Sequence, residues 1–311
     1  MIYEDAKKKL RGLAVIVLTP WTRDYEVDFE GLRENIGFII DEGVREGKGT
    51  LFVACGCGEG PFMAVEEIKA VVETSIDAAD GKVPVFFGTF MRDIKTIKEL
   101  LKFGEEVGAY GVQIAPPYYT TPTLDEIFDF YKELDASTEL GIVVYNNYYS
   151  TGRDMPASFV ERLSKLEKVI GFKWASTNAA NEIYTIARFK DRFSFLSNNL
   201  GSFIWGAMAG MKGIVSVMAN FAPQYELKLW ELLEKGEYRK AHEHMMKLSI
   251  PFYRFSYYEE TRGVGIASHW KAAMEICGKP AGGVRPPQRP LTEAQKEKLR
   301  EILVNGGVIK R

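Results

Sequence analysis

The sequence predicts an α/β fold, a (β/α)8 TIM barrel with a C-terminal three-helix extension. Short β-rich runs recur at a steady pace through the first three quarters of the chain, and helical periodicity fills the gaps between them. The runs are apolar almost throughout instead of alternating, the pattern of parallel strands covered on both faces. Eight such units in succession predict closure into a barrel wrapped by helices.

The eight runs lie at 12–18, 50–54, 83–88, 111–115, 141–145, 169–173, 193–196 and 213–217. Between the first two, residues 29–42 place Leu32, Ile36, Phe38, Ile39 and Ile40 towards one side and Glu30, Arg33, Glu34 and Asp41 towards the other. Residues 94–107 repeat the logic, with Ile97, Leu100, Leu101 and Phe103 apolar and Lys95, Lys98, Glu99 and Lys102 solvated. Asp28 and Thr123 are candidate N-caps, Pro156 fits a first turn, and Asp125 and Glu126 favour the positive end of a helix dipole. After residue 233 the strands stop. Residues 237–249, 264–277 and 292–305 read as three helices, with a Gly- and Pro-rich loop at 278–290. The expected division is therefore 1–233 for the barrel and 234–311 for the helical extension.

Composition narrows the function classes. The chain has 311 residues, 46% hydrophobic and 26% charged, with a net charge of −2 and both signs mixed along its length. No basic face argues for nucleic acid or a membrane surface, and no apolar run reaches the ~18–20 residues that span a bilayer. The N-terminus, with acids and lysines among its first nine residues, lacks the order of a secretion signal, so a cytoplasmic location is expected. Three cysteines build no disulfide framework. Cys55 and Cys57 lack the histidines of a tetrahedral site, and His242 and His244 point to different helix faces, so no metal is expected.

In such a barrel the chemistry sits at the C-terminal strand ends. Tyr145 ends the fifth run and Lys173 the sixth, about one strand–helix unit later. Both side chains would project at the same rim. A lysine in a low-dielectric pocket loses part of its proton affinity and can attack a carbonyl, while a phenol beside it moves protons to and from the adduct. After the second strand, Cys55-Gly56-Cys57-Gly58-Glu59-Gly60 is a turn of little bulk whose backbone N–H groups can meet an anion. It has neither the spacing of a dinucleotide fingerprint nor the Gly-Lys-Ser/Thr of a P-loop.

Thr19-Pro20, Asp28, Gly58-Glu59, Gly88-Thr89, Pro117-Tyr118-Tyr119, Tyr145-Asn146, Gly171-Phe172-Lys173, Asn220 and Arg285-Pro286-Pro287 stand in order along the chain. This ordered set resembles the dihydrodipicolinate synthase/N-acetylneuraminate lyase family of Schiff-base class I aldolases over nearly the whole length. The resemblance implies an imine between Lys173 and pyruvate or another 2-oxo acid, with no separate cofactor. It implies that Tyr145 relays protons, and that Tyr119 reaches into a neighbouring subunit's site, which calls for a homodimer or homotetramer. The N–H groups of Gly56 and Cys57 would hold the substrate carboxylate. Asn198 after the seventh strand and Val215 on the eighth complete the expected binding set with Ser150 and Arg153. Glu59 reads as a structural group behind the loop.

Three departures bear on the reaction. Cys55 and Cys57 replace the small and hydroxylated residues usual in the family's second-strand loop, which keeps a backbone cradle but removes a relay through a threonine hydroxyl. Lysine-biosynthesis enzymes carry an arginine for the aspartate-semialdehyde carboxylate where this chain has Ser150, with Arg153 nearby. A bidentate charge-assisted pair of that kind is worth about 2–5 kcal/mol of binding, so dihydrodipicolinate synthesis is disfavoured unless Arg153 or Arg92 substitutes. Asn147-Tyr148-Tyr149 replaces a proline, and Tyr148, Tyr149 and Trp174 point to a bulky or apolar aldehyde. The expected function is a lyase of 2-oxo acids through a Lys173 imine. The alternatives are dihydrodipicolinate synthase, a 2-oxo-3-deoxy sugar acid dehydratase on the same imine, and a 2-oxo acid sensor without turnover.

Overall fold

The computed structural model describes residues 1–90, 92–257 and 265–310. Eight parallel strands close into a barrel in sequential order: β1 Gly12–Ile16, β2 Gly49–Val53, β3 Val85–Gly88, β4 Gly111–Ile114, β5 Gly141–Asn147, β6 Val169–Ala175, β7 Ser194–Ser197 and β8 Gly213–Ser216. The predicted TIM barrel is therefore the observed one. The apolar runs follow from two-sided burial. Along β1, Leu13 and Val15 join the layer between sheet and helices, while Ala14 and Ile16 fill the barrel interior with Phe52, Phe86, Val143 and Leu196.

Helices form where their ends are satisfied. The Asp28 side chain accepts from the Gly31 N–H, and Thr123 with Glu126 makes a reciprocal capping box. Pro156 is itself the N-cap of its helix, one step before the first turn expected for it. Asn220 seals the barrel seam after β8: its Oδ1 accepts from Leu18 N at 3.0 Å, and its Nδ2 donates to Ile16 O at 2.8 Å.

Two features depart from expectation. An N-terminal helix, Ile2–Lys9, covers the N-terminal end of the barrel, burying Tyr3 and Ala6 beside Leu10 in the interior cluster. Beyond Glu234 the described residues hold four helices, not three: Tyr238–Met245, Ser249–Tyr257, Ser268–Ile276 and Glu293–Asn305. The additional one, Ser249–Tyr257, carries Pro251 in its first turn, where a missing N–H leaves no helical bond unmade. Its Phe252 and Phe255 pack with Leu248, Trp270 and Leu303, so tertiary burial stabilises a segment whose sequence has little helical periodicity. Val264, the expected start of the following helix, lies outside the described residues. No described helix is long and apolar enough to cross a membrane.

The extension is fastened to the barrel mouth through Glu59, which is 0% exposed. Its carboxylate accepts from Trp21 Nε1 at 2.8 Å, Arg285 N at 3.0 Å and Gln288 Nε2 at 3.0 Å, and it ion-pairs with Lys271 Nζ at 2.7 Å. Arg285 in turn binds Glu67 and lies over the Trp21 ring, 3.9 Å from its centre. Lys271 is 1% exposed, and burial pulls its amine down to about 8. Removing one member of such a pair strands a buried charge. Lys271→Ala is expected to cost about 3–5 kcal/mol in a denaturant titration. An unfolding midpoint identical to the parent's would show that the pair contributes nothing.

Candidate active site

The register of β5 on β6 decides which side chains meet. Tyr145 pairs with Lys173 across the two strands, and Asn146 with Trp174. Both strands run two residues beyond the ends expected for them, to Asn147 and Ala175, so the lysine and the phenol are held inside the ladder and not on its loops. Side chains alternate along a strand. Lys173 therefore points into the barrel, while Trp174, 0% exposed, packs outward against Phe172 and Phe195. That overturns the expectation that Trp174 faces a second substrate.

The Lys173 amine lies 5.4 Å from the centre of the Tyr145 ring. The residues are 6% and 8% exposed. Among the described residues no carboxylate ion-pairs with Lys173. Burial lowers its proton affinity below the ordinary lysine value, and the neighbouring Cys55 and Cys57 act in the opposite sense. Burial also pushes the Tyr145 phenol up to about 12. Its hydroxyl accepts from Asn147 Nδ2 at 2.7 Å and lies 3.3 Å from Ser150 Oγ. The Phe90 ring stands edge-on against it, with centres 5.1 Å apart.

The turn after β2 presents backbone N–H groups of a kind that can meet an anion. Gly60 is obligatory there, because a Cβ would sit 1.8 Å from the Ala54 carbonyl oxygen. A Cβ on Gly56 would meet nothing within 4 Å, so its absence leaves open space and not a relieved clash. The N–H groups of Gly56, Cys57 and Gly58 have no acceptor among the described residues. The residues that follow are tied back, Glu59 N to Gly56 O at 3.1 Å and Gly60 N to Cys55 O at 3.0 Å. Burial raises both thiols, Cys55 to about 12, which keeps them protonated. Gln113 on β4 is buried beneath, 3.8 Å from Cys55 Sγ, with its Nε2 unpaired.

The remaining candidates divide. Ser150 stands at the phenol, as its distance shows. Val215 is partly buried against the interior cluster, and Asn198 N donates to Trp174 O at 2.7 Å, which sets it at the β7 rim. The Arg153 backbone bonds Thr151, but its guanidinium has no bonding partner among the described residues. Arg92 is engaged elsewhere, donating to the carbonyls of Met63 and Gly60. Tyr119 is apart from the cluster in the single chain and 95% exposed. Tyr148 and Tyr149 are exposed on the short helix Tyr148–Thr151. Sequence reasoning missed Tyr257. This residue ends a helix of the extension and is 38% exposed; its phenol is pushed up by partial burial, with the charges of Cys57, Tyr253 and Tyr145 acting in the same sense. Its only sequence signal was the aromatic run of 252–257.

The chain matches the model of the dihydrodipicolinate synthetase family over residues 9–305. It is 33% identical to a 4-hydroxy-tetrahydrodipicolinate synthase of Syntrophus aciditrophicus over 96% of this chain and 99% of that one. Its identity to the enzyme of that name from Methanospirillum hungatei is 31%, over 94% and 98%. Among solved structures, it superposes on a dihydrodipicolinate synthase of Thermotoga maritima with a TM-score of 0.86 at 28% identity, covering 97% and 100%. A prophage protein of E. coli K12 from the same family, solved in complex with pyruvate, gives 0.86 at 27%, covering 96% and 99%. With a closed barrel, a buried lysine facing a phenol and full-length matches of this kind, the chain belongs to the dihydrodipicolinate synthetase family, whose members are Schiff-base-forming lyases.

Proposed function

We propose that Lys173 is the imine-forming nucleophile of a lyase that acts on pyruvate or a related 2-oxo acid. The observation that carries this reading is a buried amine with no counter-ion among the described residues, in register with a phenol. A lysine in that setting spends more time neutral, and only the neutral amine attacks a ketone. The Tyr145 phenol, protonated at neutral pH, gives its proton to the carbinolamine oxygen, which leaves as water. Asn147 and Ser150 orient the phenol. The carboxylate of the 2-oxo acid is received by the unpaired N–H groups of Gly56 and Cys57, with Asn198 and Val215 as the facing wall. Once formed, the protonated imine draws electrons from the adjacent carbon, so a C–C or C–O bond there can be made or broken. The lysine itself supplies the electron sink, without a separate cofactor.

The exposure of Tyr119 supports a role in a neighbouring copy, completing the relay of that site in a dimer or tetramer. The second substrate of this reading is an aldehyde with an apolar or aromatic body. Phe90, Tyr148, Tyr149 and Tyr257 support it, and Ser150 supplies no charge for a carboxylate. A second reading, condensation of pyruvate with aspartate semialdehyde, is favoured by the names of the curated relatives. Arg153 would then be the group that grips the second carboxylate. A panel of aldehydes offered with pyruvate separates the two: turnover confined to aspartate semialdehyde, and abolished in Arg153→Ala, selects the second.

Borohydride added with pyruvate should leave a reduced adduct on Lys173, seen as a mass increase of the tryptic peptide. Lys173→Ala should lose both the adduct and turnover while keeping its far-ultraviolet spectrum. Turnover persisting in that variant would end the imine reading. Tyr145→Phe is expected to lower kcat by about 10²–10⁴-fold.

The pH profile follows from the two displaced groups. The amine must be neutral, so kcat/KM rises with pH up to the lowered Lys173 value and then levels off. Ionisation of the phenol brings no decline below about 12. A profile that falls between neutrality and pH ~9 would contradict the roles given to both groups.

A further inference from the structure

At the N-terminal end of the barrel, opposite the rim that holds Lys173, lies a cavity of about 950 Å³ between the helix Ile2–Lys9 and the entries to β1 and β7. Seven cationic side chains line it, Arg11, which pairs with Glu234 at 2.8 Å, and six more: Lys7, Lys8, Lys165, Lys190, Arg192 and Lys212. None of the six ion-pairs with a described carboxylate, whereas Lys9, Lys69, Lys98, Lys168 and Lys235 all do. Two of the three acids in the same lining are engaged elsewhere. Glu4 meets the N-terminal amine at 3.5 Å, and Glu167 meets Lys168 and the Tyr3 hydroxyl. The chain as a whole carries −2, so this concentration of positive charge is local and not a property of the surface at large.

Arg192 is built into the site. Its Nε, Nη1 and Nη2 donate to the carbonyls of Ser164, Val169 and Leu166 at 3.3, 2.9 and 2.6 Å, which fixes the guanidinium plane. Two of its five N–H groups remain for a ligand. Lys7 is half-buried close by, and burial together with the Arg192 charge pulls its amine below the ordinary lysine value. Like charges held together without an anion cost free energy that a bound anion would return. The cavity is of the size that takes a small organic ligand, and it is open to solvent.

We propose that this cavity is a binding site for a small multivalent anion, of the polyphosphate or polycarboxylate class, separate from the catalytic mouth. Arg192 and Lys7 form its inner contacts, and Lys165, Lys190 and Lys212 its exposed rim. The site lies outside the imine chemistry and does not depend on it.

Calorimetric titration of the full chain with inorganic tripolyphosphate, at low and at physiological ionic strength, tests this. The expected result is saturable binding of one anion per chain, with the same affinity in Lys173→Ala. The double variant Lys190→Glu/Lys212→Glu changes exposed residues, and its melting curve should match the parent's; binding should weaken by about tenfold or more, the loss of one or two charge-assisted contacts. Citrate binding with the same dependence on Lys190 and Lys212 supports the site as one for polycarboxylates as well. Three outcomes would overturn the proposal: no saturation at either ionic strength, equal affinity in the double variant, or displacement of tripolyphosphate by single-stranded RNA, the mark of a general basic surface.

Discussion

Everything at the barrel mouth depends on one strand pairing, that of β5 with β6. A parallel ladder fixes which residues stand opposite each other, and a slip by one residue turns every side chain to the other face. In the observed register Tyr145 and Lys173 are opposed, with Phe172 and Trp174 committed to the layer under the helices. The same pairing would, after a single step, bury the amine among Phe195 and Phe193 and turn an indole into the pocket. The aromatic cluster of Phe172, Trp174, Phe193 and Phe195 thus favours the register that turns the amine inward, since a one-residue slip of β6 would take two of its four rings out of that layer.

The second constraint lies behind the turn after β2. A cradle of free N–H groups needs a backbone held in an unfavourable shape, and here Ala54 and Glu59 both adopt left-handed conformations, with φ of 50° and 65°. Glu59 offsets that strain by collecting donors from three parts of the chain: Trp21, Lys271 and the segment of Arg285 and Gln288. The helical extension therefore shapes the mouth of the barrel as well as covering it.

Much of this was legible beforehand, for a physical reason. Strands buried on both faces must be apolar throughout, so the eight runs and their spacing announced a covered parallel barrel. The ends of those runs then located Lys173, Tyr145 and the 55–60 turn without any coordinates, and the family resemblance added Ser150. What could not be read was direction and distance. Trp174 is next to Lys173 in sequence, yet alternation sends it away from the pocket. The role of Ser249–Tyr257 depends on contacts with Trp270 and Leu303, far along the chain, and no local pattern encodes them. Arg153 and Arg92 looked equivalent as spare cations until Arg92 was found spent on backbone carbonyls.

The N-terminal helix has a consequence for how the chain is made. Tyr3 reaches Glu167, 164 positions later, and Ala6 lies under Gly141, where a Cβ would come within 3.0 Å. These residues emerge from the ribosome 164 positions ahead of Glu167, so their docking surface does not exist when they appear and forms only afterwards. Until then an amphipathic segment has nothing to cover, and it stays open to proteases and to chaperones that capture unfinished chains. Docking of this helix therefore waits until β5 and β6 have been made.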